Sequence, residues 1–185
     1  MCTPFCACCR SAAKRFRLYL GRDFRKSSSQ IMEDCVAAAA ELGVKAISCG
    51  TLPTPALATH AIAARAPSIM VTGSHIPEDR NGLKFYTRQG EISKADEVAI
   101  VNALEAQMPG YYKATAEDET GPARQRYTDF LPPEALQGIR IGMFEHSSVA
   151  RDLLVEILAF FGAEVTRLGR IGGFIAVDTE ALFLG

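Results

Sequence analysis

From Phe16 onward the chain alternates between two apolar periodicities. "RLYLGRD" (17–23) is a short apolar run closed by a Gly turn and predicts a strand. "SSQIMEDCVAAAAELG" (28–43) sets Met32, Cys35, Val36, Ala39 and Leu42 on one helical stripe, with Ser28 as its expected cap and Gly43 as its stop. "VKAISCG" (44–50) predicts a second strand, "TPALATHAIAARA" (54–66) a helix with Pro55 in its first turn, and "SIMVTG" (68–73) a third strand. A further helix is expected over 94–107, with Ala95, Val98, Val101 and Leu104 on one side. Strands alternating with helices predict an α/β layer with mostly parallel neighbours.

The rhythm breaks at 108–138, a stretch rich in Pro, Gly and charge that reads as a linker or crossing segment. It then restarts: "IRIGMFE" (139–145) as strand, "SSVARDLLVEILAFFG" (147–162) as helix, and "AEVTRLG" (163–169) as strand. Val149, Leu153, Ile157 and Phe160 are that helix's expected buried stripe. The organisation expected is a Cys-rich tail at 1–15, a first domain at 16–108, a crossing segment at 109–138 and the beginning of a second α/β domain at 139–185.

Composition narrows the function classes. An apolar fraction of 48% and a charged fraction of 22% are those of a folded chain. A formal charge of -1 gives no electrostatic reason to expect nucleic acid or an anionic membrane as partner. No apolar run reaches the roughly 20 residues of a spanning helix, and the N-terminus does not read as a signal peptide, so a cytoplasmic location is expected. Cys2, Cys6, Cys8 and Cys9 lack the second ligand pair of a zinc site and read as an oxidation-prone tail, whereas Cys35 and Cys49 read as small core residues.

In open α/β sheets, ligands gather beyond the carboxyl ends of strands. Gly21-Arg22-Asp23, Gly50 to Pro55 and Thr72 to His75 all fall there. If Ser74 and His75 extended their strand, they would point to opposite faces, so His75 would not serve as the base for Ser74. Nothing favours a triad drawing on His60 or His146. A serine beyond a strand end is suited to carry a phosphoryl group, a dianion near neutral pH, with Arg22, Arg25, His75 and Lys84 as candidate donors. Each of these residues also has a plain reading: Ser74 as a turn residue, Lys84 as a surface charge, and Arg22-Asp23 as a surface pair.

"GRDFRKSS" (21–28), "GTLPTPAL" (50–57) and "VTGSHIPEDRNGLKFY" (71–86) together resemble the first domain of the α-D-phosphohexomutases, the phosphomannomutase/phosphoglucomutase family. The likeness runs from about Phe16 to the C-terminus. It implies a three-layer α/β/α first domain with a mixed, mostly parallel sheet, followed by an incomplete second α/β domain. The implied activity is intramolecular transfer of a phosphoryl group between C1 and C6 of a hexose phosphate, with a hexose 1,6-bisphosphate as activator and Mg²⁺ as cofactor. By resemblance, Ser74 is the phosphoserine, also contacting the metal through its phosphate. His75 and Lys84 are catalytic neighbours, and Arg22, Asp23, Thr72, Gly73 and Asn81 support the phosphate loop. Ile76 departs from the usual asparagine, and the family's D-x-D-x-D metal loop does not occur in the sequence. The expectation is therefore the front portion of a longer mutase, with little turnover alone; the alternative is a non-catalytic sugar-phosphate or protein-binding module. Sugar preference and oligomeric state are left open.

Overall fold

The computed structural model describes residues 16–103, 114–129 and 131–175. The Cys-rich stretch at 1–15 and the end of the helix expected over 94–107 lie outside them. Strands β1 (Arg17–Arg22), β2 (Lys45–Thr51), β3 (Ser68–Val71), β4 (Leu83–Tyr86) and β5 (Glu117–Asp118) form one sheet in the order β4-β3-β1-β2-β5. β1 runs parallel to β2 and β3, and β2 is parallel to β5; β4 is antiparallel to β3, with Met70 opposite Lys84. Helices α1 (Lys26–Glu41) and α2 (Thr54–Ala63) make the crossovers between β1, β2 and β3.

Alternation along the strands supplies both faces of the sheet. Tyr19, Ile47, Cys49 and Met70 pack with Leu52, Ala56 and Leu57 on the α2 side. Leu20 and Ala46 pack with Val36 and Ala39 of α1 on the other side, giving the expected three layers. A Cβ on Gly21 would lie 2.6 Å from Leu52 Cδ2 and 3.2 Å from Leu57 Cδ2, so the missing side chain is what lets these leucines approach β1.

Cys49 is fully buried, and loss of solvation pushes its thiol up to about 12. Native protein at pH 8 is therefore expected to leave Cys49 unalkylated by iodoacetamide, while urea-unfolded protein reacts completely. Peptide mapping checks this, and rapid native labelling of Cys49 contradicts it.

Several local expectations are corrected. Ser28 does not cap α1; the helix begins two residues earlier, and Ser28 is buried within its first turn. Leu42 is 62% exposed, the helix having ended at Glu41. Helix α3 (Lys94–Ala103) has no buried residue, and Val98 and Val101 face solvent. Its start is held instead by a reciprocal pair, in which Ser93 N–H donates to Asp96 Oδ2 at 2.9 Å and Asp96 N–H to Ser93 Oγ at 3.2 Å. β4 and β5 were not read from the sequence. β5 arises within the expected crossing segment, followed by α4 (Thr120–Gln125), whose Ala123 reaches the core.

Beyond this sheet, β6 (Arg140–His146), α5 (Arg151–Phe160) and β7 (Glu164–Arg170) form a parallel β-α-β unit. In α5, Leu153 and Val155 are buried, whereas Phe160 of the expected stripe is 51% exposed; Phe161, just past the helix, is buried in its place. Glu145 is fully buried and is neutralised by Arg167 Nη1 at 3.2 Å and Arg170 Nη1 at 3.3 Å. Arg170 also bonds Asp152 and holds that carboxyl below its usual range. Among the described residues, no helix is long and apolar enough to cross a membrane.

Candidate functional site

The carboxyl ends of β1 and β3 are tied together by one carboxylate. Asp23 is buried, and its Oδ1 accepts from Arg25 N–H at 3.0 Å and from Ser28 Oγ at 2.5 Å. Asp23 thus ties down the residue that precedes α1 and a side chain of its first turn, without capping a helical N–H. Its Oδ2 accepts from Thr72 Oγ1 at 2.9 Å, and Thr72 Oγ1 in turn accepts from Ser74 N–H at 3.1 Å. A relay of hydrogen bonds therefore runs from the end of β1 to the backbone of Ser74.

Arg25 holds the loop from the other side. Its side chain is fully buried, with Nε 3.3 Å from Asp23 Oδ2 in an ion pair not aligned as a hydrogen bond. Nη1 donates to Pro77 O at 2.6 Å and Arg80 O at 3.2 Å; Nη2 donates to Ser74 O at 3.1 Å and Ile76 O at 2.7 Å. Read from sequence as a candidate phosphate donor, Arg25 is instead committed to loop carbonyls. Gly73 makes room for it, since a Cβ there would lie 2.7 Å from both Arg25 Cζ and Nε. Asn81 closes the far end, donating from Nδ2 to Ser27 Oγ and Ser28 Oγ, each at 2.9 Å.

Between these ties Ser74 is exposed, with φ at +52°, in the left-handed region. β3 ends at Val71, so Ser74 does not extend the strand. Ser74 and His75 consequently line the same cleft, contrary to the opposite-face expectation. The cleft has a volume of ≈ 850 Å³, and Asp23 and Thr72 line it as well. Arg22 and Lys84 are not part of its lining. Half-buried Arg22 ends β1, and half-buried Lys84 sits on β4 opposite Met70.

The opposite wall comes from the end of β6, with Glu145 and His146, and from the β6–α5 connection, with Ser147 and Ser148; Phe174 lines it too. His146 has φ at +46°, and its Nδ1 lies 3.0 Å from Ser147 Oγ. Ser147 Oγ also donates to Ile175 O at 2.9 Å and accepts from Ile175 N–H at 3.1 Å, fixing this wall to the chain beyond β7. Of these residues only His146 was weighed from sequence, as a triad partner that nothing favours, though "EHSS" is a polar cluster at a strand end, the same signal that marked Ser74. His60 lies outside the cleft lining; its Nε2 is 3.0 Å from Glu119 Oε2 and its ring meets Tyr19 edge-on.

The Mg²⁺ ion implied by resemblance is not fitted by these residues. Both oxygens of Asp23 are engaged, and Glu145 is held by two arginines. Among the described residues, no group of three or more His, Cys, Asp or Glu side chains could hold a metal.

Comparisons with known proteins bear on the family and the fold. Residues 5–109 match the family described as phosphoglucomutase/phosphomannomutase, alpha/beta/alpha domain I. A phosphomannomutase of Sinorhizobium fredii is 50% identical over 173 residues, covering 88% of this chain and 36% of the relative. A phosphomannomutase of Salmonella muenchen is 46% identical over 167 residues, covering 88% of this chain and 34% of the relative. The chain thus spans about a third of the length of these curated relatives. A solved phosphoglucomutase/phosphomannomutase family protein from Burkholderia thailandensis shares the fold, with a TM-score of 0.60 at 21% identity over 86% of this chain and 37% of that one. With the matched region covering β1 to β4 and more than half of the chain, the chain belongs to the phosphoglucomutase/phosphomannomutase family.

Proposed function

We propose that Ser74 carries a phosphoryl group and exchanges it with a hexose phosphate, moving phosphate between the C1 and C6 oxygens. The observation that carries this reading is the exposed hydroxyl of Ser74, held at a left-handed backbone position on the cleft by the Asp23–Thr72 relay and the Arg25 clamp. A non-glycine residue in that region is costly and is maintained where the surroundings over-determine it. In the forward step a sugar hydroxyl oxygen bonds to phosphorus, and the bond from phosphorus to Ser74 Oγ breaks. The hydroxyl proton passes to a base in the cleft, and Ser74 Oγ takes up a proton. The bisphosphate then turns over and returns its other phosphoryl group to Ser74. His75 shares the cleft and is the nearest candidate in sequence for proton transfer. Lys84 retains that role by family resemblance, although it lies outside the lining.

In this reading residues 16–108 form the phosphoserine unit, 109–138 cross from it, and 139–185 open a second domain whose wall completes the cleft. Hexose phosphate is the substrate class and hexose 1,6-bisphosphate the priming donor. The chain alone is expected to take up phosphate yet turn over mannose 1-phosphate poorly, because its cleft carboxylates are already engaged. Incubation with glucose 1,6-bisphosphate or mannose 1,6-bisphosphate, followed by peptide mapping, should find one phosphoryl group on Ser74. Phosphate absent from Ser74 under all such conditions overturns the reading. Robust turnover of mannose 1-phosphate by the chain alone overturns the expectation of weak catalysis.

A further inference from the structure

Phe24 and Arg25 are consecutive, and each meets a residue of the β6–β7 part of the chain. The Arg25 guanidinium carbon lies 4.3 Å from the centroid of the Phe174 ring. The Arg151 guanidinium carbon lies 5.0 Å from the centroid of the Phe24 ring. The two contacts cross: each side gives one cation and one ring. Arg151 is anchored in its own unit, where its Nη1 donates to His146 O at 3.2 Å and Ile171 O at 2.6 Å. Arg25 is anchored in the other unit, to the carbonyls of the Ser74 loop.

The Phe174 ring therefore closes the remaining side of the group that shapes that loop. A ring face attracts a guanidinium more strongly where water is excluded, and the Arg25 side chain is fully buried. We infer that Phe174 is a positioning residue for Ser74, acting through Arg25, so that seating of the β6–β7 unit sets the phosphoryl-accepting geometry of the loop. This rests on the phosphoserine reading above for its consequence in phosphate uptake, but not for its effect on the loop.

The test compares Phe174→Ala, Phe174→Leu and Phe174→Tyr in the full chain by two measurements. One is amide hydrogen exchange over residues 74–80; the other is the rate of Ser74 phosphorylation by glucose 1,6-bisphosphate. Alanine and leucine are expected to speed exchange and slow phosphorylation by about threefold to thirtyfold, while tyrosine, which keeps the ring face, stays near wild type. Unchanged exchange in Phe174→Ala overturns the inference. Leucine behaving like wild type overturns it too, since apolar bulk alone would then suffice, and this comparison stands even if the alanine variant unfolds. A wild-type chain that takes no phosphate refutes the phosphoserine reading, while the exchange comparison still decides the role of Phe174.

Discussion

Replacing Ser74 by alanine is expected to leave the chain folded and to abolish its uptake of phosphate from a hexose 1,6-bisphosphate. The loop is held by contacts that do not involve the Ser74 side chain. Its N–H donates to Thr72 Oγ1, and its carbonyl accepts from Arg25 Nη2. Removing an exposed hydroxyl outside such ties typically changes stability by no more than about 0.5 kcal/mol. The loss of phosphorylation should nevertheless be complete, because no other oxygen occupies that place on the loop. Ser74→Gly adds a sign check. Glycine removes the steric cost of φ at +52° and should raise stability by up to about 1 kcal/mol while remaining unable to carry phosphate. Urea unfolding and intact-mass analysis measure both effects. Phosphate still appearing on the chain in Ser74→Ala places the acceptor elsewhere.

Replacing Arg25 by methionine has the largest expected cost to stability, about 3–5 kcal/mol. Methionine keeps much of the volume but removes the cation from beside buried Asp23 and withdraws donors from the carbonyls of Ser74, Ile76, Pro77 and Arg80. A buried carboxylate left without its ion partner is the main penalty, and under-satisfied loop carbonyls add to it. The loop then loses its shape along with its anchor, so Ser74 phosphorylation should fall even under conditions where the sheet stays folded. Urea denaturation monitored by circular dichroism gives the stability change. A loss below about 1 kcal/mol would mean that the clamp is dispensable.

Much of the first sheet was legible because its signals are local. The apolar runs at 17–22 and 68–71 and the stripe containing Val36 and Ala39 each name an element and a buried face. What escaped depended on tertiary partners. Glu117 and Asp118 have no strand pattern of their own and become β5 only by pairing with Ile47 and Ser48. Val98 and Val101 keep a helical spacing, yet the helix lies where the sheet does not cover it. The Ser74 loop was marked by its motif, but the motif could not say that Arg25 turns toward carbonyls and away from the cleft, where Gly73 leaves space beside it. The opposite wall escaped because its residues lie some 70 positions further along the chain, and only folding brings them to Ser74.

Arg25 grips carbonyl oxygens at 74, 76, 77 and 80 and no side chain of the loop. The route of this segment is therefore set in good part through its main chain, beside the ties that Gly73 and Asn81 supply. At Ile76, where the resemblance leads one to expect asparagine, the clamp reads only the peptide carbonyl, which every amino acid supplies. A side chain changed at such a position alters the rim of the cleft while the Ser74 backbone stays tied through its own N–H and carbonyl.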